Sequence, residues 1–368
     1  MENLVMENLF NRIYKNKTVL ITGHTGFKGS WLTFWLNQMG AKIVGYSLEP
    51  PTSPNHIQYL DFDIKSIIGD TRDGDALNKV FNEHKPDIVF HLAAQPLVKF
   101  SYENPLETYE TNVIGTLKTF EACKKYDVKA IVNITSDKAY ENQEFSRGYK
   151  ENDPMGGHDP YSSSKGCADL LANSYRKSFF NILNYKKTHN TLLASCRAGN
   201  VIGGGDWAKD RLIPDIVLSV SEGKKVRIRN PKATRPWQHV LEPLSGYLLL
   251  GQRLLEEKKE YGDAWNFGPS NEASITVEEV VKNVETHWDK IDYEIVEDSN
   301  QFHEANLLKL DCSKANNDLN WTDVWSSQKT FEKTINWYKA FYEDKNLLTQ
   351  SDLEVYVDDA RAKGLVWT

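Results

Sequence analysis

The sequence predicts an α/β protein built on a doubly wound parallel sheet with a smaller α/β lobe. Three observations carry this. Short apolar, β-branched runs alternate with helical stretches through the first half of the 368 residues. The first run leads through a glycine-rich turn straight into a helix. After Arg197 the alternation breaks into shorter mixed elements. Alternating β and α segments pack as a parallel sheet with helices on both faces, and ligands then bind beyond the C-terminal ends of the strands.

The elements follow in order. Thr18–Thr22 is short, apolar and β-branched, the pattern of a buried strand. Further strands are expected at Lys42–Tyr46, Ser66–Ile68, Ile88–Leu92, Ala130–Ile134 and Leu192–Cys196. Helices are expected at Trp31–Met39, Gly74–Glu83, Tyr109–Tyr126 and Tyr161–Asn184. Gly203-Gly204-Gly205-Asp206-Trp207 reads as a loop, and Ser274–Trp288 and Gln328–Tyr342 as amphipathic helices. The expected division is a dinucleotide-binding domain over residues 1–198 and a mainly substrate-binding lobe over 199–345. The chain crosses between them around 238–265. Leu347–Thr368 is polar and amphipathic, suited to capping the lobe or meeting a partner subunit.

Composition narrows the function classes. A net charge of −7 argues against a general nucleic-acid binder, so an anionic ligand needs local cations. No apolar run reaches the length of a membrane span. Met1 to Tyr14 carries Glu2 and Glu7 and no sustained apolar stretch, which argues against a secretory signal. Cys123, Cys167, Cys196 and Cys312 lack metal-ligand spacing and read as reduced thiols of a cytoplasmic protein. No metal site is expected.

Two motifs carry chemistry. Gly23-His24-Thr25-Gly26-Phe27-Lys28-Gly29 lies between a strand and a helix, the setting in which backbone N–H groups and a helix N-terminus cradle a diphosphate. Tyr161 and Lys165 stand one helical turn apart, on one face. An ammonium beside a phenol favours the phenolate, so Lys165 is expected to lower the Tyr161 pKa toward neutrality and make it a base. Alone, such a pair is usually a solvated surface feature; the glycine loop gives it weight.

Together, GxxGxxG and YxxxK resemble the extended short-chain dehydrogenase/reductase family, over roughly Lys17 to Trp337. The resemblance implies a Rossmann-like fold and a nucleotide-sugar substrate. It implies cofactor contacts from Gly23, Thr25, Gly26, Phe27, Lys28, Gly29, Asp70, Thr71, Leu92, Ala93 and Ala94, besides Tyr161 and Lys165. Ser136 resembles the hydroxyl that binds the substrate. Asp137 and Lys138 match the 4,6-dehydratase branch, where an acid and a second ionisable group follow that serine. Such a lyase oxidises C4, eliminates water across C5–C6 and returns the hydride to C6. Asp137 is then the acid, with a raised pKa, and Lys138 the base, with a lowered one; the two roles stay exchangeable.

Gln95, Asn200, Arg211, Arg235 and His303 match substrate contacts of the family. Arg235 closes a basic run of Lys224, Lys225, Arg227, Arg229 and Lys232, which taken alone reads as a solvated face. The residues do not choose the nucleotide base. Glu49, after the second strand, favours NAD, while His24 and Lys28 keep NADP open by adding positive charge. The resemblance also implies a homo-oligomer, a dimer or a dimer of dimers, making a deoxysugar for a bacterial surface polysaccharide. Two other readings use the same motifs: a nucleotide-sugar 4-epimerase, which has no need of Asp137 and Lys138, and a non-catalytic NAD-binding scaffold.

Overall fold

The computed structural model describes residues 6–228, 230–269, 274–296 and 308–368. Seven parallel strands form the main sheet: β1 (Thr18–Thr22), β2 (Lys42–Ser47), β3 (Lys65–Ile68), β4 (Ile88–His91), β5 (Ala130–Ile134), β6 (Leu192–Arg197) and β7 (Ala264–Asn266). Their spatial order is β7-β6-β5-β4-β1-β2-β3. The order reverses between β1 and β4, and a crevice opens there beyond the strand ends. The six expected strands are present within a residue at either end. The seventh, only three residues long, carries too little pattern to stand out from sequence.

Alternation within the strands sends side chains to two cores. Val19, Ile21, Ile88, Phe90 and Val132 join the large cluster that α1 (Phe27–Gln38) covers. Leu20, Val44, Val89 and Ile131 join a smaller one beneath α2 (Gly74–His84), α3 (Gly115–Lys125) and α4 (Pro160–Ser178). Burial on both faces explains why the strands read as continuous apolar runs.

Helix boundaries differ from expectation for local reasons. The first helix starts at Phe27 rather than Trp31, because Gly26 already ends the turn and serves as N-cap. The fourth stops at Ser178, where the N–H groups of Phe179 and Phe180 both bond to the Tyr175 carbonyl. The expected Tyr109–Tyr126 helix is interrupted by a π-turn at Glu110–Ile114. Thr276 forms a capping box with Glu279, so Ser274–Thr276 is a strand and the helix spans Val277–Glu285.

The later chain packs back onto the large core through α5 (Leu241–Leu255), α6 (Ser327–Lys339) and α7 (Thr349–Ala362). Leu353, Tyr356, Val357 and Ala360 of α7 are fully buried there. Glu242 ties three segments together. It accepts the N–H groups of Val324 and Trp325 at 2.9 and 2.8 Å and the Tyr356 hydroxyl at 2.8 Å. Burial pushes its carboxyl up to about 8, against the pull of these donors. Among the described residues no helix is long and apolar enough to cross a membrane, and no cluster of His, Cys, Asp and Glu could hold a metal. Glu242→Ala strands two buried N–H groups and should lower unfolding free energy by about 3 kcal/mol in a urea titration.

Candidate active site

The glycine loop takes its shape from close backbone approaches. Gly23 has φ +77°, and a Cβ there would lie 2.8 Å from the Ala93 nitrogen. A Cβ on Gly29 would collide with the Gly23 carbonyl. A Cβ on Gly26 meets only the Gly23 oxygen, at 3.4 Å, so that side of the cradle is open. Gly26 caps α1 without a side chain, leaving the first N–H groups of a twelve-residue helix for an anion. These residues fit a dinucleotide diphosphate. The Thr25 hydroxyl is held by Ser47 Oγ (2.7 Å) and donates to the Leu48 carbonyl (2.9 Å), so it shapes the loop.

The charges near the loop correct the sequence reading. His24 is buried against Gly45, with Nε2 2.7 Å from Ser66 Oγ, and burial lowers its pKa to about 4. It is neutral and offers no cation to a ribose phosphate. The Lys28 amine lies toward the catalytic end, where Arg211 and Lys165 repel it and Asp137 and Asp206 attract it. Desolvation is the largest effect on Lys28 and brings it to about 8. Past β3, burial favours the neutral form of Asp70. Hydrogen bonds from the Arg72 backbone and Nε, both 2.8 Å, outweigh this and hold the carboxyl below its usual range. Thr71 is buried next to Gly115, Glu49 is exposed, and Leu92 and Ala94 flank Ala93 at the mouth.

The end of β5 delivers the second half of the site. Ser136 leaves the strand extended and caps a single turn, Asp137–Ala139. Its hydroxyl donates to Asp137 Oδ1 at 2.9 Å, and the Lys138 N–H donates to the same oxygen at 2.9 Å. A Cβ on Gly199 would overlap the Asp137 carboxylate, so the chain after β6 presses directly on it. Pro160 and Asp159, the N-cap that accepts the Ser162 N–H, start α4 and place Tyr161 and Lys165 against this turn. The Ser136 hydroxyl lies beside the Tyr161 phenol.

The expected lowering of the Tyr161 pKa is not found. Burial is the largest effect and pushes the phenol up to about 12, against the neighbouring Ser136 hydroxyl and the positive charge of Arg211. Lys165 is itself brought to about 8 by desolvation and by Lys28, and its Nζ reaches the Ile134 carbonyl at 3.5 Å. The cation acting most strongly on the phenol is therefore Arg211.

On the substrate side, Asp206 holds Arg211 at 2.8 Å. Asn200 adopts φ +50°, and its carbonyl accepts the Gln238 N–H. Gln95 is not offered to the cleft: its amide bonds to the Leu97 carbonyl, the Leu97 N–H and the Thr108 hydroxyl. Arg235 lies in the strand Thr234–Pro236, half-buried, with one N–H on the Thr234 carbonyl. Lys224, Lys225 and Arg227 pair with Glu222, Asp292 and Glu294 on the surface. His303 and Arg229 lie outside the described residues.

Sequence reasoning missed Asn112. From the π-turn it binds both backbone groups of Gln95 and the Ser164 hydroxyl, joining the β4 exit to α4. A lone asparagine inside an apolar helical pattern was the available signal.

A glycine cradle at the crevice, with a Ser–Tyr–Lys group one strand away, defines a nucleotide-dependent enzyme of the extended short-chain dehydrogenase/reductase type. Residues 20–334 match the family described as GDP-mannose 4,6 dehydratase, and the chain belongs to that family. It is 52% identical to a CDP-glucose 4,6-dehydratase of Salmonella typhimurium over 345 residues, 93% of this chain and 96% of the other. An epimerase structure from Methanothermobacter thermautotrophicus superposes with TM-score 0.79 at 24% identity, covering 94% of this chain and 98% of that one. A dTDP-glucose 4,6-dehydratase of Bacillus anthracis in complex with NAD gives 0.73 at 24% identity, covering 88% and 96%.

Two outcomes follow from this geometry. Gly199→Ala should displace the Asp137 carboxylate and cut kcat by about 100-fold, with an unchanged circular dichroism spectrum. Lys28 is protonated below about 8 and loses its charge above it. Affinity for a dinucleotide diphosphate, measured by calorimetry, should therefore weaken from pH 7 to pH 9, and Lys28→Met should flatten that slope.

Proposed function

We propose that the protein is a CDP-glucose 4,6-dehydratase, a hydro-lyase that makes CDP-4-keto-6-deoxyglucose and water. The observation that carries this reading is the Ser136-Asp137-Lys138 turn, packed on Tyr161 at the cofactor end of β5. An epimerase needs the serine and the tyrosine but not the two ionisable groups after them. Cytidine and glucose enter from the name of the Salmonella relative.

NAD is the cofactor of this reading, and when bound it supplies the acceptor and donor of the hydride. The neutral His24 and the pairing of Arg72 with Asp70 leave little to attract a 2′-phosphate. Gly23, Gly26, Phe27 and Gly29 hold the diphosphate through their backbone, with Lys28 beside it. Asp70 and Thr71 serve the adenine end, and Leu92, Ala93 and Ala94 wall the ring.

Tyr161 Oη takes the proton from the sugar 4-hydroxyl, with Ser136 Oγ holding the same oxygen. Arg211, and Lys165 while it is protonated, favour the phenolate that this step requires. The 4-ketone acidifies C5–H. Lys138 removes that proton, the Asp137 carboxyl gives one to the departing 6-hydroxyl, and Lys138 returns its proton to C5 as the hydride adds to C6. Asn200, Arg211 and Arg235 bind the substrate, Arg235 as a ligand for its diphosphate. His303 completes this set in the family pattern. Residues 1–198 form the cofactor half and 199–345 most of the substrate lobe, in a cytoplasmic homo-oligomer.

The test is CDP-glucose deuterated at C4. The label should appear in the C6 methyl of the product by mass spectrometry and NMR. Tyr161→Phe should lose turnover at least 1000-fold while still binding NAD. Retained label at C4, or an epimerised sugar without loss of water, would sink the reading.

A further inference from the structure

Asp169 lies four residues beyond Lys165 on α4, and Arg197 is the last residue of β6. They form a bidentate pair, Nε to Oδ2 at 2.9 Å and an Nη to Oδ1 at 3.0 Å, with side chains 0% and 4% exposed. Neither belongs to the cofactor or substrate groups above. The pair is tied into the site on every side. Thr135, immediately before Ser136, donates its hydroxyl to Asp169 Oδ2 at 2.7 Å. The second Nη of Arg197 donates to Tyr140 Oη at 2.6 Å and to the Glu151 carbonyl at 3.0 Å. Tyr140 Oη in turn donates to Asn266 Oδ1 of β7 at 2.8 Å. The backbone following Arg197 leads to Gly199, which presses on the Asp137 carboxylate.

A buried ion pair is weak evidence for stability, because desolvating both groups offsets most of their attraction. An apolar pair of similar volume would pack this interior as well. What such a pair would not supply is directional bonding to Thr135 and a negative charge one helical turn from Lys165. We propose that Asp169 and Arg197 are positioning residues for the dehydratase reaction, holding the Thr135–Asp137 strand end in register with α4 and fixing a carboxylate one helical turn from Lys165. The inference rests on the reading given under Proposed function.

The groups facing Lys165 support the second half. Lys28 from α1 opposes its charge, and Asp169 from its own helix favours it. His91 from β4 is neutral, lowered to about 3 chiefly by burial and further by Lys165. The Ile134 carbonyl of β5 accepts from Nζ. Asp169 is thus the carboxylate that offsets Lys28 there. Without it the amine loses its proton at lower pH.

The experiment uses the full-length protein and the paired substitution Asp169→Leu with Arg197→Met. Removing both charges avoids leaving either one buried and alone. Folding is checked by circular dichroism and thermal melting. The Lys165 amine is followed by NMR of 13Cε-labelled lysine and assigned with Lys165→Met. In the folded paired variant the Lys165 midpoint should fall by about one pH unit. With CDP-glucose, kcat should fall about 100-fold with KM within about threefold, and its alkaline limb should move to lower pH. Asp169→Glu, which keeps the charge, should restore the limb.

A folded paired variant that keeps the parent midpoint or the parent kcat overturns the proposal. Where the paired variant does not fold, Thr135→Val decides: about a tenfold loss of kcat with an unchanged melting temperature supports it, and parent kcat overturns it. A parent protein inactive on CDP-glucose whose Lys165 midpoint still moves would refute the functional reading and leave the pair standing.

Discussion

Charge that has been taken out of water must be answered locally, and the active cleft is organised around that requirement. Lys28, Lys165 and Arg211 share a small volume with Asp137, Asp206 and the Tyr161 phenol. In a low-dielectric setting each of these groups sets the protonation of the others. Two lysines brought to about 8 by desolvation, with Arg211 repelling Lys28 and Lys28 repelling Lys165, are neither fixed cations nor inert amines. They respond to whatever anion enters. Two diphosphates in one cleft would favour their charged forms.

The sheet makes this crowding possible. Reversal of strand order between β1 and β4 opens the crevice, and the loops after β1, β4, β5 and β6 converge on it. Each loop brings one kind of group: backbone N–H from the glycine turn, a small-residue wall after β4, hydroxyl and acid after β5, and the glycine that abuts the acid after β6. The chain beyond β6 adds Arg211, steered by Asp206, whose own backbone is locked by Tyr338 of α6.

Much of this was legible in the sequence. Five of the six strands read from sequence are apolar runs because both faces are covered, while the exposed edge strand β3 carries only its two isoleucines as a signal. The Tyr161–Lys165 pair and the glycine loop are legible by spacing, the one on a single helical turn and the other at the start of α1. What stayed hidden was electrostatic and long-range. His24 and Lys28 both read as cations near the cofactor, yet one is a neutral core imidazole and the other a desolvated amine that loses its charge above about pH 8. The spacing predicts that Lys165 acidifies Tyr161, but burial dominates, and the cation that opposes it is Arg211, fifty residues away. Gln95 looked available until the Leu97 and Thr108 contacts accounted for its amide. The His24, Lys28 and Tyr161 outcomes depend on which distant segment lies opposite, and that of Gln95 on how the chain just after it folds back.

The π-turn at Glu110–Ile114 has a genetic corollary. It holds one residue more than a regular turn, and that surplus is what aims Asn112 inward at Gln95 and Ser164. Loss of a single codon there would let the segment rewind as ordinary α-helix. Everything on one side of the lesion would then rotate by roughly 100° about the axis. The asparagine would swing away from its partners with no change in the surrounding composition. Length, rather than identity, is the trait that this stretch of the reading frame must preserve.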